Sequence, residues 1–291
     1  DFDGVELARG MSALAPRYDG FILDQWGVLH DGTRPYDGAA ECLERLHAAG
    51  KRIVVLSNSG KREAENLRVM ARMGFDVSVL ERCVCAGEEA RAAIEARADA
   101  FHAALGRRCY AFTRGGDRAV LEGIGLEFVD RIEDADFLAV LGIDSPQRSL
   151  PDYEAELTAG ARKDLPMVCA NPDIARLTPN GLVDAQGVLA VRYEALGGRV
   201  AFHGKPYAAI YRSCLAALEC AAERVLMVGD SVDHDVLGAQ RAGIASALIP
   251  GAVHGPELGV AWGETPGAEA WRAFAARASA QPDYLLAAFN W

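Results

Sequence analysis

The chain reads as an α/β protein: a Rossmann-like, doubly wound parallel sheet core with a second α/β unit inserted into it. Three observations predict this. Apolar runs of four or five residues, the length and composition of strands buried on both faces, recur at 20–24, 53–57, 82–85, 225–229 and 245–249. Amphipathic stretches near 38–49, 61–73, 88–104, 207–219 and 235–242 alternate with them, which calls for parallel strands covered by helices. Between the two halves, 106–198 repeats the pattern by itself, with strands at Cys109–Phe112, Phe137–Leu141 and Met167–Ala170 and helices near 117–123 and 151–163.

The N-terminal residues Asp1-Phe2-Asp3-Gly4-Val5 carry two carboxylates, but no apolar strand precedes them, so 1–19 is expected to be an extension with a mobile or helix-leading end. Leu7 to Leu14 reads as a short amphipathic helix. The first strand ends on Asp24, followed by Gln25-Trp26-Gly27-Val28-Leu29-His30-Asp31-Gly32. A carboxylate leaving the carboxyl end of a buried strand sits where open α/β sheets bind ligands; taken alone it is equally a turn residue or a helix cap. The second strand ends in Ser57-Asn58-Ser59-Gly60, again a polar turn. His203-Gly204-Lys205-Pro206 holds one cation, with proline near the first turn of a helix, where its missing N–H costs nothing. Val225–Val228 then runs into Gly229-Asp230-Ser231-Val232-Asp233-His234-Asp235. Residues 267–280 read as a helix, and Phe289-Asn290-Trp291 as an aromatic end packed on the core or on a second subunit of a homo-oligomer. Gly115-Gly116 and Asn180-Gly181 are turns.

Asp24, Ser57, Lys205 and Asp230 are thus a nucleophile candidate, a hydroxyl donor, a cation and a metal ligand. A carboxylate attacks phosphorus only if the repulsion of two anions is offset, and a divalent cation with an ammonium group supplies that offset. Mg²⁺ prefers oxygen ligands and keeps several waters, so carboxylates, one backbone carbonyl, substrate and water make a sufficient set, and no Cys or His cluster is required.

These four motifs, in this order, resemble those of the haloacid dehalogenase (HAD) superfamily. The run Ala170-Asn171-Pro172-Asp173 ahead of the lysine motif is similar to its class IIA branch of nucleotide, pyridoxal-phosphate and phosphoglycolate phosphatases. The resemblance covers nearly the whole chain from residue 19. It implies that Asp24 becomes an aspartyl phosphate, and that Ser57 and the backbone around Asn58 hold the phosphoryl oxygens. Lys205 would neutralise charge on nucleophile and phosphoryl group, and Asp24, the Trp26 backbone carbonyl and Asp230 would bind Mg²⁺, with Asp235 supporting the metal shell. It also implies a core of 1–105 and 199–291 and a class IIA-type cap of 106–198 that contacts the rest of a small phosphorylated metabolite. In the cap, Arg114, Asp144, Arg148 and Arg176 are either cleft residues or solvated surface charges.

Trp26 departs from the pattern. Where the family usually has an Asp that protonates the leaving group and activates water, an indole is a hydrogen-bond donor only and does not titrate near neutrality. A positioned acid–base group contributes about 10²- to 10⁴-fold in rate. Three readings stay open: a phosphatase slowed or restricted to good leaving groups, borrowing a proton from His30, Asp31, Asp233 or His234 if at all; a phosphate-ligand binding or regulatory protein on a phosphatase scaffold; or an aromatic wall against a planar substrate.

Composition fits these readings. The 291 residues, 51% hydrophobic, suffice for two domains. The net charge of −11 argues against nucleic acid as partner, since phosphate backbones are met by Lys/Arg patches. No apolar run is long enough to cross a bilayer, and the first residues show no charged-then-apolar signal pattern. Cys42, Cys83, Cys85, Cys109, Cys169, Cys214 and Cys220 are odd in number and lie mostly in apolar runs, which suits reduced, buried thiols in a cytoplasmic protein without a membrane.

Overall fold

A computed structural model describes residues 2, 4–178 and 181–291. The acidic pair Asp1 and Asp3 and the expected turn at Asn180 lie outside the described residues. Contacts divide the chain into two compact units, one of residues 1–57, 63–84 and 205–291, the other of 58–62 and 85–204.

In chain order the strands are β1 (Glu6–Ala8), β2 (Gly20–Leu23), β3 (Arg52–Ser57), β4 (Arg82–Cys85), β5 (Arg108–Phe112), β6 (Glu127–Phe128) and β7 (Phe137–Val140). They continue with β8 (Met167–Cys169), β9 (Ala175–Thr178), β10 (Gly181–Asp184), β11 (Val200–Phe202), β12 (Val225–Gly229), β13 (Ala245–Leu248) and β14 (Tyr284–Leu286). The first unit is built on a seven-stranded sheet in the order β1-β14-β13-β12-β2-β3-β4. Its side chains alternate between two cores, as the two-residue period of a strand requires. Phe21, Leu23, Ile53, Val55, Leu226 and Val228 pack with Leu43, Leu46 and Met70 of the helices at Ala39–Ala48 and Glu63–Arg72. Ile22, Val54, Leu56, Val225 and Met227 pack on the other face with Ile210, Tyr211 and Cys214 of the helix at Ala208–Leu218. Strands buried on both faces explain why the sequence shows unbroken apolar runs.

The second unit holds a five-stranded sheet, β11-β8-β7-β5-β6, and the antiparallel pair β9–β10. Leu138, Val140, Met167 and Cys169 face Leu157, Leu189 and Tyr193, and Phe137, Ala139 and Val168 face Ala90, Ile94 and Leu121. The helix at Ala86–Ala96 therefore shares its core with β5, β7 and β8.

Four expectations change. Leu7–Leu14 is not one helix: Glu6–Ala8 pairs in parallel with β14, and only Met11–Leu14 is helical, after an extended Gly10. The helix expected over 88–104 divides, because Arg97 ends the first segment with φ +48° and Asp99 caps a separate turn at Ala100–Ala103. Residues 117–123, bounded by glycines on both sides, form a single tight turn at Ala119–Leu121. The helix at 235–242 begins as a wide turn, Val232–Val236, that continues into Leu237–Arg241. The aromatic C-terminus packs on its own chain: Phe289 is buried, Met11 N–H donates to Asn290 O at 2.7 Å and Arg45 lies over the Trp291 ring. No helix among the described residues is long and apolar enough to cross a membrane.

Candidate active site

The strand order of the first sheet reverses at β2, which lies between β12 and β3. Such a switch point leaves a crevice at the carboxyl ends of the strands. Three of the expected residues emerge there. Asp24 follows β2, its N–H donating to Val228 O at 2.9 Å; Ser57 is the last residue of β3 and buried; Asp230 follows β12. Lys205 comes to the same place: its Nζ lies 2.8 Å from Asp24 Oδ1 and 2.7 Å from Asp235 Oδ1. Asp235 Oδ2 accepts the N–H groups of Asp230 and Ser231, both at 3.0 Å. Both oxygens of Asp235 are thus engaged in holding the lysine and the Asp230 loop. Asp24 Oδ1 accepts Gln25 N–H at 2.8 Å as well, and Asp230 Oδ2 accepts Val253 N–H at 3.3 Å.

One oxygen each of Asp24, Asp230 and Asp235 lies within 4.8 Å of the others. Three carboxylates against one ammonium leave an excess of negative charge in a dry place. Burial, then the Asp235 charge, push the Asp24 carboxyl up to about 7 despite Lys205. Burial and the charges of Asp24 and Asp235 push Asp230 well above the usual carboxylate range. Lys205 loses hydration by burial, yet the carboxylates Asp235 and Asp24 hold its ammonium form firmly. The donor set fits a hard divalent cation: it is all oxygen, it carries surplus negative charge, and Asp24 Oδ2 and Asp230 Oδ1 accept no hydrogen bond from the described residues.

The loop after β2 is shaped by its backbone. Gln25 O accepts the N–H groups of Val28, Leu29 and His30 at 3.4, 2.8 and 3.2 Å, and Gly27 N–H donates to His30 O at 3.1 Å. Gly27 has φ +78° and faces the Asp230 carboxylate so closely that any Cβ would run into it. Trp262 Nε1 donates to Gly27 O at 3.1 Å while its ring stacks on Tyr36, centroids 4.0 Å apart. No local sequence signal announced Trp262.

The Trp26 indole is 55% exposed and lies across Gly32 with its ring at 65° to that of His30. His30 is 2% exposed and Nδ1 accepts Gly32 N–H at 3.0 Å, so the neutral ring carries its proton on Nε2; burial lowers its pKa. It therefore buttresses the loop as a neutral group. Asp31 Oδ1 accepts three bonds from Thr33 and Arg34, which hold its pKa down at about 2. Asp233 accepts Ser279 Oγ at 2.5 Å, and His234 lies half-exposed in its turn. His30 and Asp31 are therefore not arranged as proton donors for neutral pH.

In the second unit Asn58 Nδ2 donates to Asp173 Oδ1 at 2.8 Å. Asp144 accepts Gly115 N–H, Arg148 lies 3.7 Å from the Tyr153 ring centroid and pairs with Glu156, and Arg176 donates to Ser145 O. These three serve local structure; Arg114 lies close enough to Arg176 for its charge to help lower that group's pKa.

Comparison with known proteins agrees with the architecture. A profile of the haloacid dehalogenase-like hydrolases matches residues 78–243, a second of that description matches 21–127, and a HAD-hydrolase-like profile matches 202–285. Chronophin of Mus musculus is 30% identical over 239 residues, 79% of this chain and 80% of its own. A haloacid dehalogenase-like hydrolase from Brucella suis is 28% identical, with a TM-score of 0.80 over 97% of this chain and 99% of that one. A glycerol phosphate phosphatase from Mycobacterium tuberculosis, solved in complex with magnesium, is 25% identical, with a TM-score of 0.63 over 80% of this chain and 68% of that one. Profiles, relatives and fold converge with the carboxylate–lysine cluster at the sheet's switch point, and the chain belongs to the haloacid dehalogenase-like hydrolase family, in its class IIA branch.

Proposed function

We propose that this phosphoric monoester hydrolase is a Mg²⁺-dependent phosphatase of small phosphorylated metabolites. It works through an aspartyl phosphate on Asp24, slowly or on good leaving groups only, because Trp26 stands where an acid–base carboxylate would act. The observation that carries the reading is Lys205, buried and shared between Asp24 and Asp235 beside Asp230. Asp24, Asp230 and the Trp26 carbonyl would hold the ion, which when bound supplies the positive charge that lets two anions approach.

The chain's own groups account for the rest. Gln25 N–H and Lys205 fix Asp24 Oδ1 and so orient the carboxylate, which attacks phosphorus. Lys205, the Ser57 hydroxyl and the Asn58 backbone N–H receive the phosphoryl oxygens. The bond from phosphorus to the ester oxygen breaks, and the leaving group departs with the electron pair. Water then attacks the phosphorus of the aspartyl phosphate, releasing phosphate and restoring the carboxylate. Lys205 is held too firmly as an ammonium to give up its proton, so the leaving oxygen takes one from solvent. Ester oxygens that leave as stable anions are favoured.

Substrate choice beyond the phosphoryl group is assigned to residues 106–198 as a cap. The glycerol phosphate phosphatase similar to this chain supports substrates of that size. Seven cysteines in the thiol form, six of them buried, support a reducing compartment, the cytoplasm.

The exposed indole also favours a second reading, a phosphate-ligand binder without turnover. Phosphate release from acetyl phosphate and phenyl phosphate, with and without Mg²⁺, separates the two when run beside a thermal-shift panel of phosphorylated metabolites. The phosphatase reading requires metal-dependent release that Asp24→Asn abolishes. Equal rates in wild type and variant refute it, and a thermal shift without release establishes the binder.

A further inference from the structure

In the second unit three stretches of chain meet at one side chain. Asn58 is buried, and its bond from Nδ2 to Asp173 Oδ1, 2.8 Å, decides which way the amide faces. The amide oxygen then lies against Gly204, where a Cβ would come within 2.7 Å of both Asn58 Oδ1 and Pro172 Cδ. Gly204 has φ +126°, so glycine is required there by backbone shape and by space alike. Asp173 is itself anchored: its N–H donates to Asn171 Oδ1 at 2.8 Å and its carbonyl accepts Gly187 N–H at 2.8 Å. The residue before Gly204 is fixed as well, since His203 N–H donates to Cys169 O at 2.9 Å and its ring Nε2 lies 3.1 Å from His102 Nε2.

Asn58 directly follows Ser57, and Gly204 directly precedes Lys205. At those two peptide bonds the chain passes between the first unit and the second. We propose that Asp173 is a positioning residue: by holding the Asn58 amide against Gly204 it sets the spacing of the two chain segments that carry Ser57 and Lys205. This rests on the phosphatase reading of Ser57 and Lys205. A carboxylate suits the task because it only accepts, so the amide has one stable orientation, and a charge-assisted bond is roughly twice as strong as a neutral one. Small displacements matter here, since a misplacement of about 1 Å can cost about 10²-fold in rate.

The test uses the full chain with Mg²⁺ and phenyl phosphate, in Asp173→Ala, Asn58→Asp and the double variant Asn58→Asp/Asp173→Asn. Asp173→Ala should lower kcat about 10- to 100-fold. Asn58→Asp sets two carboxylates face to face and should lower it at least as far. The double variant restores one donor and one acceptor with their places exchanged, and should recover at least about tenfold over Asn58→Asp. Amide exchange is read in parallel: Asp173→Ala should speed exchange in 57–60 and 203–206 while the rest of the chain is unchanged, and the exchanged pair should slow it again. A merely structural aspartate would instead loosen the second unit throughout. A double variant no faster than Asn58→Asp, or Asp173→Ala within about threefold of wild type, overturns the proposal. If wild type releases no phosphate, the phosphatase reading has failed, and the exchange pattern alone decides: no local acceleration in those two segments overturns the clasp.

Discussion

Two loops leave neighbouring strands of the first sheet, and they are built on opposite principles. The loop after β12 is held by side chains: Asp235 spends one oxygen on Lys205 and the other on the N–H groups of Asp230 and Ser231. The loop after β2 is held by main chain, with one carbonyl, that of Gln25, accepting three N–H groups. Charge placement therefore depends on a few carboxylates, whereas the side chain that follows Gln25 takes no part in the bonds that hold its loop, and here it is an indole. On the proposed reading the sheet sets where phosphoryl chemistry would happen, and the freer loop what proton chemistry would accompany it.

The sharpest way to break this contrast is Asp235→Ala, which takes one of two carboxylates from a buried ammonium and leaves two N–H groups without their acceptor. It should cost about 3–5 kcal/mol in urea unfolding and abolish phosphate release; a loss under about 1 kcal/mol would mean the lysine is held by something else. On the other loop, Trp26→Asp should speed hydrolysis of poor leaving groups by up to about 10²-fold and change activated esters little, read as a flatter dependence of kcat/KM on leaving-group pKa. A uniform fall would show that the indole itself serves the site.

Magnesium should separate the loops again. At about 100-fold over its Kd it should stabilise wild type by about 2.7 kcal/mol, and Asp230→Asn by far less, in thermal unfolding. The same surplus charge gives a pH dependence. Without metal, Asp24 and Asp230 have raised pKa values in the folded chain, so that chain binds more protons than the unfolded one between about pH 4 and 7. Stability should fall as pH rises through that window, and Mg²⁺ should flatten the fall. Smallest of all, Trp262→Phe keeps the stack on Tyr36 but removes the donor to Gly27 O, costing about 1 kcal/mol by denaturant titration.

Much of the first sheet was legible because its central strands are buried on both faces and write themselves as apolar runs, each ending on the residue that matters. Asp24, Ser57 and Asp230 stood out for that reason, and Lys205 as the one cation of His203-Gly204-Lys205-Pro206; their roles are what the experiments above test. Three-residue strands such as Glu6–Ala8 and Tyr284–Leu286 carry too few residues for any period and were missed. The helix at Gly187–Ala195 was missed too, since it opens on glycine without a capping side chain. Helix ends at Arg97 depended on a left-handed backbone that a charged residue does not advertise. The engagement of both Asp235 oxygens, the buried state of His30 and the reach of Trp262 to Gly27 are long-range matters of packing. No window of sequence contains them.

The Gln25 carbonyl has one more consequence. Because the turn it gathers needs nothing from the side chain at 26, replacements there leave the path of the main chain intact, and the oxygen offered by that residue stays where it is. Position 26 is therefore an adjustable fitting on an unchanged mount, whose side chain can be exchanged without refolding the pocket around it.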